Sequence, residues 1–329
     1  MDKYFRSGKG EVALLKVKMK SIQRGVITLA CIVLIIVLTA CSSTPGTDGN
    51  DKVRITATTG MIADVAREVG GKYVEVTGLM GPGVDPHLYK ASQGDIRKLE
   101  QAEVIFYNGL HLEGKMTDIL EKMSKSKLVT AVAEKIPVEE LHSGQATGGT
   151  AYDPHVWFNV KHWMRATEAV RDTLMEADPD HAEQYKAQAE AYLGKLEALD
   201  AEVREKIGQI PEASRVLVTA HDAFGYFGQA YGIKVMGLQG ISTAAEYGAK
   251  DVSELRDFLV EHQIKAVFIE SSVPAKAMEA IIAGAAEKGH TVSIGGELFS
   301  DAMGAEGTEE GTYIGMVRHN VETIAAALK

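Results

Sequence analysis

The tripeptide Asp-Pro-His occurs twice, at Asp85-Pro86-His87 and at Asp153-Pro154-His155. With only eight prolines and ten histidines in 329 residues, the repeat argues against coincidence. In each copy proline fixes φ near about −65° and biases the residue before it away from helix. Each histidine is therefore presented from a stiffened, extended turn, which suits a group that must hold its position. Two such imidazoles in separate loops can build a metal site from distant parts of the chain. Two unrelated turns remain the plainer alternative at this level.

The elements around these turns alternate. Strands are expected at residues 53–58, 73–79, 104–108 and 128–132, with helices at 62–69, 93–101 and 117–122. A second series offers strands at 215–219, 233–238, 266–269 and 291–294, and helices at 223–230, 251–262, 274–288 and 313–328. Such alternation implies parallel sheets flanked by helices. Between the two series, Asp178-Pro179 supplies a cap and a first-turn proline. Apolar residues then recur in steps of three or four at Ala182, Tyr185, Ala189, Tyr192, Leu196, Leu199, Val203 and Ile207. This stripe predicts one helix of about 28 residues and about 42 Å, enough to cross two domains. The fold class is thus α/β: a lobe at 52–178, a linking helix at 179–210 and a second lobe at 211–329, each lobe a roughly four-stranded parallel sheet.

Open α/β sheets bind ligands beyond the carboxyl ends of their strands, which ranks the histidines by position. His87 follows the second strand and His155 the fourth, while His221 ends the first strand of the second lobe. Asp301 lies in the loop after that lobe's last strand. Three imidazoles and one carboxylate, two from each lobe, can converge on a cleft and suit a divalent first-row metal. Taken singly, His221 can equally bond a loop, and Asp301 reads better as a turn or N-cap residue. Glu270 either orients a ligand histidine or makes a plain bond within its lobe. His111, His142, His162, His181, His262, His290 and His319 read as surface or packing residues. Asp222 reads as a helix cap, Tyr226 and Phe227 as core, and Asp85 and Asp153 as residues that shape the turns.

The N-terminus bears on compartment. Lys16, Lys18, Lys20 and Arg24 precede an apolar run of about 13 residues, 26–38, too short to span a membrane. The run ends at Leu-Thr-Ala-Cys41, which resembles the lipobox of bacterial lipoproteins, whose cysteine is lipidated and becomes the first mature residue. Residues 1–40 are expected to be a signal peptide, with Met19 as an alternative start, and 41–51 a polar tether. Removal of residues 1–40 leaves 28 basic and 43 acidic side chains, a net charge of −15. That charge argues against nucleic acid and is compatible with a cationic cargo. Cys31 lies in the signal, so the mature body has neither disulfide nor thiolate ligand.

Six segments, at 81–87 (GPGVDPH), 109–113 (GLHLE), 153–158 (DPHVWF), 219–227 (TAHDAFGYF), 270–274 (ESSVP) and 298–304 (LFSDAMG), stand in this order. Together they resemble the bacterial lipoproteins that feed manganese and zinc ABC transporters, solute-binding family 9, over about residues 53–329. The resemblance implies two α/β lobes joined by one rigid helix, with His87, His155, His221 and Asp301 as metal ligands in the cleft. Some family members have glutamate at the third position, where this chain has His221. It also implies a monomeric, non-enzymatic receptor anchored by acyl chains, palmitate among them, to the outer face of the cell membrane. Its partners would be an ABC permease and its ATPase subunit, for this chain has no phosphate-binding G-x-x-x-x-G-K-[ST]. Mn²⁺ is the expected cargo, because the His/Asp/Glu-rich loop frequent in the family's zinc importers is represented here only by His142. Zn²⁺ is the alternative, since intrinsic affinity favours it at such a site. A metal-dependent hydrolase with Glu270 as base is the rival from another class, although four protein ligands would close the metal to water. A surface adhesin has no sequence signal of its own.

Overall fold

The computed structural model describes residues 52–144 and 152–329. The expected signal peptide, Cys41 and the tether lie outside the described residues, as does the Gly-rich stretch from 145 to 151. In the first half, β1 (Val53–Ala57), α1 (Gly60–Gly70), β2 (Val74–Gly78), α2 (Gln93–Gln101), β3 (Val104–Tyr107), α3 (Thr117–Met123) and β4 (Leu128–Ala131) follow in order. The strands form one parallel sheet ordered β2-β1-β3-β4. Its central strands carry Val53 and Ile55 on β1 and Val104, Ile105 and Phe106 on β3, all buried. Near-continuous apolar runs of this kind are what a sheet covered on both faces requires. A reciprocal capping box starts α2: Ser92 Oγ accepts the Asp95 N–H at 3.2 Å, and Asp95 Oδ2 accepts the Ser92 N–H at 2.9 Å.

Two helices follow. The first, α4 (Val160–Ala177), has no counterpart among the sequence expectations. Its buried face includes His162, Thr167 and Thr173 beside Trp163, Val170 and Leu174, which blurs the apolar period. The second, α5 (Ala182–Gly208), is the expected long helix. Tyr185, Ala189, Tyr192, Leu196, Leu199, Val203 and Ile207 are buried along it, as the spacing predicts. A 3₁₀ turn at Pro179–His181 precedes it, and Asp178 fixes the entry through its side chain. The Asp178 carboxylate accepts from both His181 Nδ1 and Tyr185 Oη at 2.7 Å.

The second half runs β5 (Val216–His221), α6 (Gly225–Tyr231), β6 (Lys234–Gln239), α7 (Ala249–Glu261), β7 (Ala266–Glu270), α8 (Lys276–Glu287), β8 (Ser293–Leu298) and α9 (Tyr313–Leu328). Its four strands form two parallel pairs, β5–β6 and β7–β8, with β5 packed beside β7. Strand β8 continues past the expected end at 294 through Gly295-Gly296. A Cβ at Gly295 would approach Phe268 and Ala327 to 2.8 Å, so glycine lets α9 lie close on the strand. The largest apolar core runs from Val53 to Leu328 through α5 and α9, while a smaller one lies between β5, β7, α7 and α8. Residues 52–329 thus form one compact unit in which the buried stripe of α5 contributes to the main core.

Candidate metal centre

Each Asp-Pro-His turn is closed by its own aspartate. Asp85 Oδ1 accepts the His87 N–H at 2.8 Å, and Asp153 Oδ1 accepts the His155 N–H at 2.9 Å. This is the turn chemistry expected of aspartate two residues before the donor. Asp153 does more: its Oδ1 also lies 2.7 Å from His155 Nδ1, which leaves Nε2 as the free nitrogen. From the second half, His221 is the last residue of β5 and Glu270 the last residue of the neighbouring β7. Glu270 Oε1 accepts the His221 N–H at 2.8 Å and Oε2 lies 2.5 Å from His221 Nδ1. Asp301 follows β8 by three residues.

These elements bring His87, His155, His221 and Asp301 together, with one ligand atom from each lying within 4.8 Å of the others. His87 Nε2 is 3.2 Å from His155 Nε2. Asp301 Oδ2 is 3.6 Å from His87 Nε2 and 3.4 Å from His221 Nε2, while Oδ1 is 3.3 Å from His155 Nε2. Ligands held tetrahedrally at about 2.0–2.1 Å from zinc stand about 3.3 Å apart, so the spacing is that of atoms around one ion. All four side chains are buried. His221 Nε2 and both oxygens of Asp301 have no hydrogen-bond partner. A buried carboxylate without donors is costly, and a cation at the centre satisfies all three atoms at once.

Electrostatics split the histidines. Burial pushes His87 down to about 3, since Asp301 cannot offset it and the neighbouring imidazoles oppose a further charge. Burial also opposes charge on His155, but Asp153 and Asp301 outweigh it and lift His155 to about 9. Glu270 and Asp301 likewise outweigh burial at His221, which stands well above the ordinary histidine range. Asp301 is held well below the carboxylate range, because His221 and His155 overcome its desolvation. The centre thus favours positive charge facing Asp301, and a divalent cation supplies it.

The other histidines lie elsewhere. His142 stacks on Tyr226 and contacts Gln229, His162 faces Glu140, and His290 and His319 bond the backbone carbonyls of Ile264 and Glu297. Buried Tyr226 and Phe227 belong to the core. Asp222 departs from expectation: α6 starts at Gly225 with Phe224 at its N-cap and no side-chain cap, so Asp222 sits too early to serve. Sequence reasoning also missed Asp153 as the partner of His155 Nδ1. Its place two residues before His155 was the available signal.

The family of the periplasmic component A of the zinc-uptake complex, ZnuA, matches residues 55–327. The manganese-binding lipoprotein MntA of Bacillus subtilis (strain 168) is 55% identical, over 89% of this chain and 95% of its own length. The zinc-binding protein TroA of Treponema pallidum (strain Nichols) is 48% identical, over 91% of this chain and 97% of its own length. A solved structure of the periplasmic zinc-binding protein TroA from Treponema pallidum aligns with a TM-score of 0.82 at 50% identity, covering 84% of this chain and 99% of that one.

Proposed function

Because this chain belongs to the ZnuA family of zinc-uptake component A proteins, we propose that His87, His155, His221 and Asp301 hold the cargo of its importer. The protein is the substrate-binding component of a divalent-metal ABC importer. It is a receptor and not an enzyme, and the hydrolase reading falls with that membership. Components of this kind work with a membrane permease and an ATPase.

The observation that carries the ligand assignment is the convergence of four buried donors, three of whose atoms have no other partner. Mn²⁺ is the preferred cargo in this reading. The relative at 55% identity is named for manganese and the one at 48% for zinc, so the family leaves the choice to the site. Here both oxygens of Asp301 face the three imidazoles, which gives a hard cation five donor atoms. Zinc is satisfied by four ligands and binds such sites more tightly in absolute terms.

Cys41 is the lipidated residue in this account, and it places a monomeric body on the outer face of the cell membrane. The Leu-Thr-Ala-Cys41 sequence and the lipoprotein names of relatives support this. No helix among the described residues is long and apolar enough to cross a membrane. The division into lobes at 52–178 and 211–329 around a link at 179–210 is supported by the separate sheets of the two halves. Competition between Mn²⁺ and Zn²⁺ for the chelator-stripped protein tests the cargo. One ion of either metal should bind per chain, and a protein that takes up neither would overturn the receptor reading.

A further inference from the structure

One buried side chain ties the segment that carries His155 to the segment that carries Asp301. The Trp157 indole N–H donates to the Ser300 carbonyl at 3.0 Å. Trp157 lies two residues after His155, and Ser300 directly precedes Asp301. The Trp157 ring also meets the His155 ring edge-on, with centroids 5.2 Å apart. Behind it, the Tyr313 hydroxyl donates to the Trp157 carbonyl at 2.7 Å, and the Tyr313 N–H donates to Asp64 Oδ2 at 2.9 Å. Trp157, Ser300 and Tyr313 are all buried, so water does not compete for these bonds.

The Ser300 carbonyl belongs to the peptide plane that leads into Asp301. A donor fixed on that carbonyl restrains the plane from which the backbone enters Asp301. The carboxylate that follows has Oδ1 facing His155 Nε2 and Oδ2 facing His87 and His221. Only with both oxygens turned inward does the centre offer three nitrogens and two oxygens. Zinc needs four ligands, whereas manganese prefers more, and harder, donors. We propose that Trp157 is a positioning residue for metal selectivity, its indole N–H holding Asp301 so that both carboxylate oxygens reach the ion and manganese retains its place against zinc. This rests on the assignment of His87, His155, His221 and Asp301 as the ligands.

Trp157→Phe keeps an aromatic ring beside His155 and removes the N–H. Metal affinity of the full mature chain is measured for Mn²⁺ and Zn²⁺ separately, with thermal unfolding alongside. Mn²⁺ affinity should fall about tenfold or more, in the range of other changes to groups that orient ligands, while Zn²⁺ affinity changes less than about threefold. Retained Zn²⁺ binding shows that the four ligands still assemble, which a loss of fold would not allow. Tyr313→Phe, which frees the Trp157 carbonyl, should shift the ratio in the same direction by a smaller factor. Equal losses for both metals, or an unchanged ratio in both variants, would overturn the proposal. A wild-type protein that binds neither metal would instead sink the ligand assignment and this proposal with it.

Discussion

Glu270 grips His221 at two points, taking its backbone N–H at 2.8 Å through Oε1 and approaching its Nδ1 at 2.5 Å through Oε2. The pair joins the ends of two neighbouring strands, and it commits the Nε2 lone pair of His221 to the centre. Asp153 does the same for His155 with a single oxygen. Carboxylate partners of ligand histidines fix the tautomer and raise the basicity of the ligating nitrogen.

Glu270→Gln should therefore weaken metal binding about 10–100-fold with the fold intact. The uncharged amide no longer enforces a proton on Nδ1. Competitive titration against a chromophoric chelator reads the change, and unaltered affinity would leave Glu270 a mere fastening between strands.

The Thr243 hydroxyl donates to Asp85 Oδ2 at 2.6 Å, linking the loop after β6 to the turn that carries His87. Gln239 Nε2 holds the Thr243 and Ala245 carbonyls in turn, each at 2.6 Å. Thr243→Val deletes the donor with little change of shape. Loss of a hydrogen bond to a charged group, about 1.5–3 kcal/mol, should speed metal release about tenfold or more. Stopped-flow release into excess chelator measures this. Thr243→Ser should restore the slow rate, and an identical rate in the valine variant would show that this bond does not slow release.

Burial lifts the Asp64 carboxyl from 3.8 to about 6, and the Tyr313 N–H it accepts only partly offsets this. A pKa raised by folding means that the native state takes up the proton more readily than the unfolded chain. The associated stability is complete below about pH 4 and is lost as pH rises through about 6, a change of about 3 kcal/mol. Asp64→Asn carries no such charge. Denaturant unfolding between pH 4 and 7 should show a flatter profile for the variant than for the wild type, and parallel profiles would contradict the assignment.

Much of this architecture is legible in the sequence. The eight-residue stripe from Ala182 to Ile207 identified α5, because a helix packed on one side keeps a strict spacing of three and four. The gathering of His87, His155, His221 and Asp301 at one place was legible for a different reason: proline stiffening marked His87 and His155, and position after a strand marked His221 and Asp301. The failures have local causes. Helix α4 buries His162, Thr167 and Thr173, so its inner face does not read as apolar. The last strand was expected to end at 294, whereas Gly295-Gly296 continues it and allows close packing of α9. The Trp157–Ser300 bond spans 143 positions and uses a backbone carbonyl, for which a single sequence carries no side-chain signal.

Anomalous diffraction at the manganese edge, from crystals of the Mn²⁺-loaded protein, tests the central claim most directly. One peak per chain is expected, within bonding distance of the Nε2 atoms of His87, His155 and His221 and of both oxygens of Asp301. A peak at any other position, or one whose neighbours exclude Asp301, would contradict it.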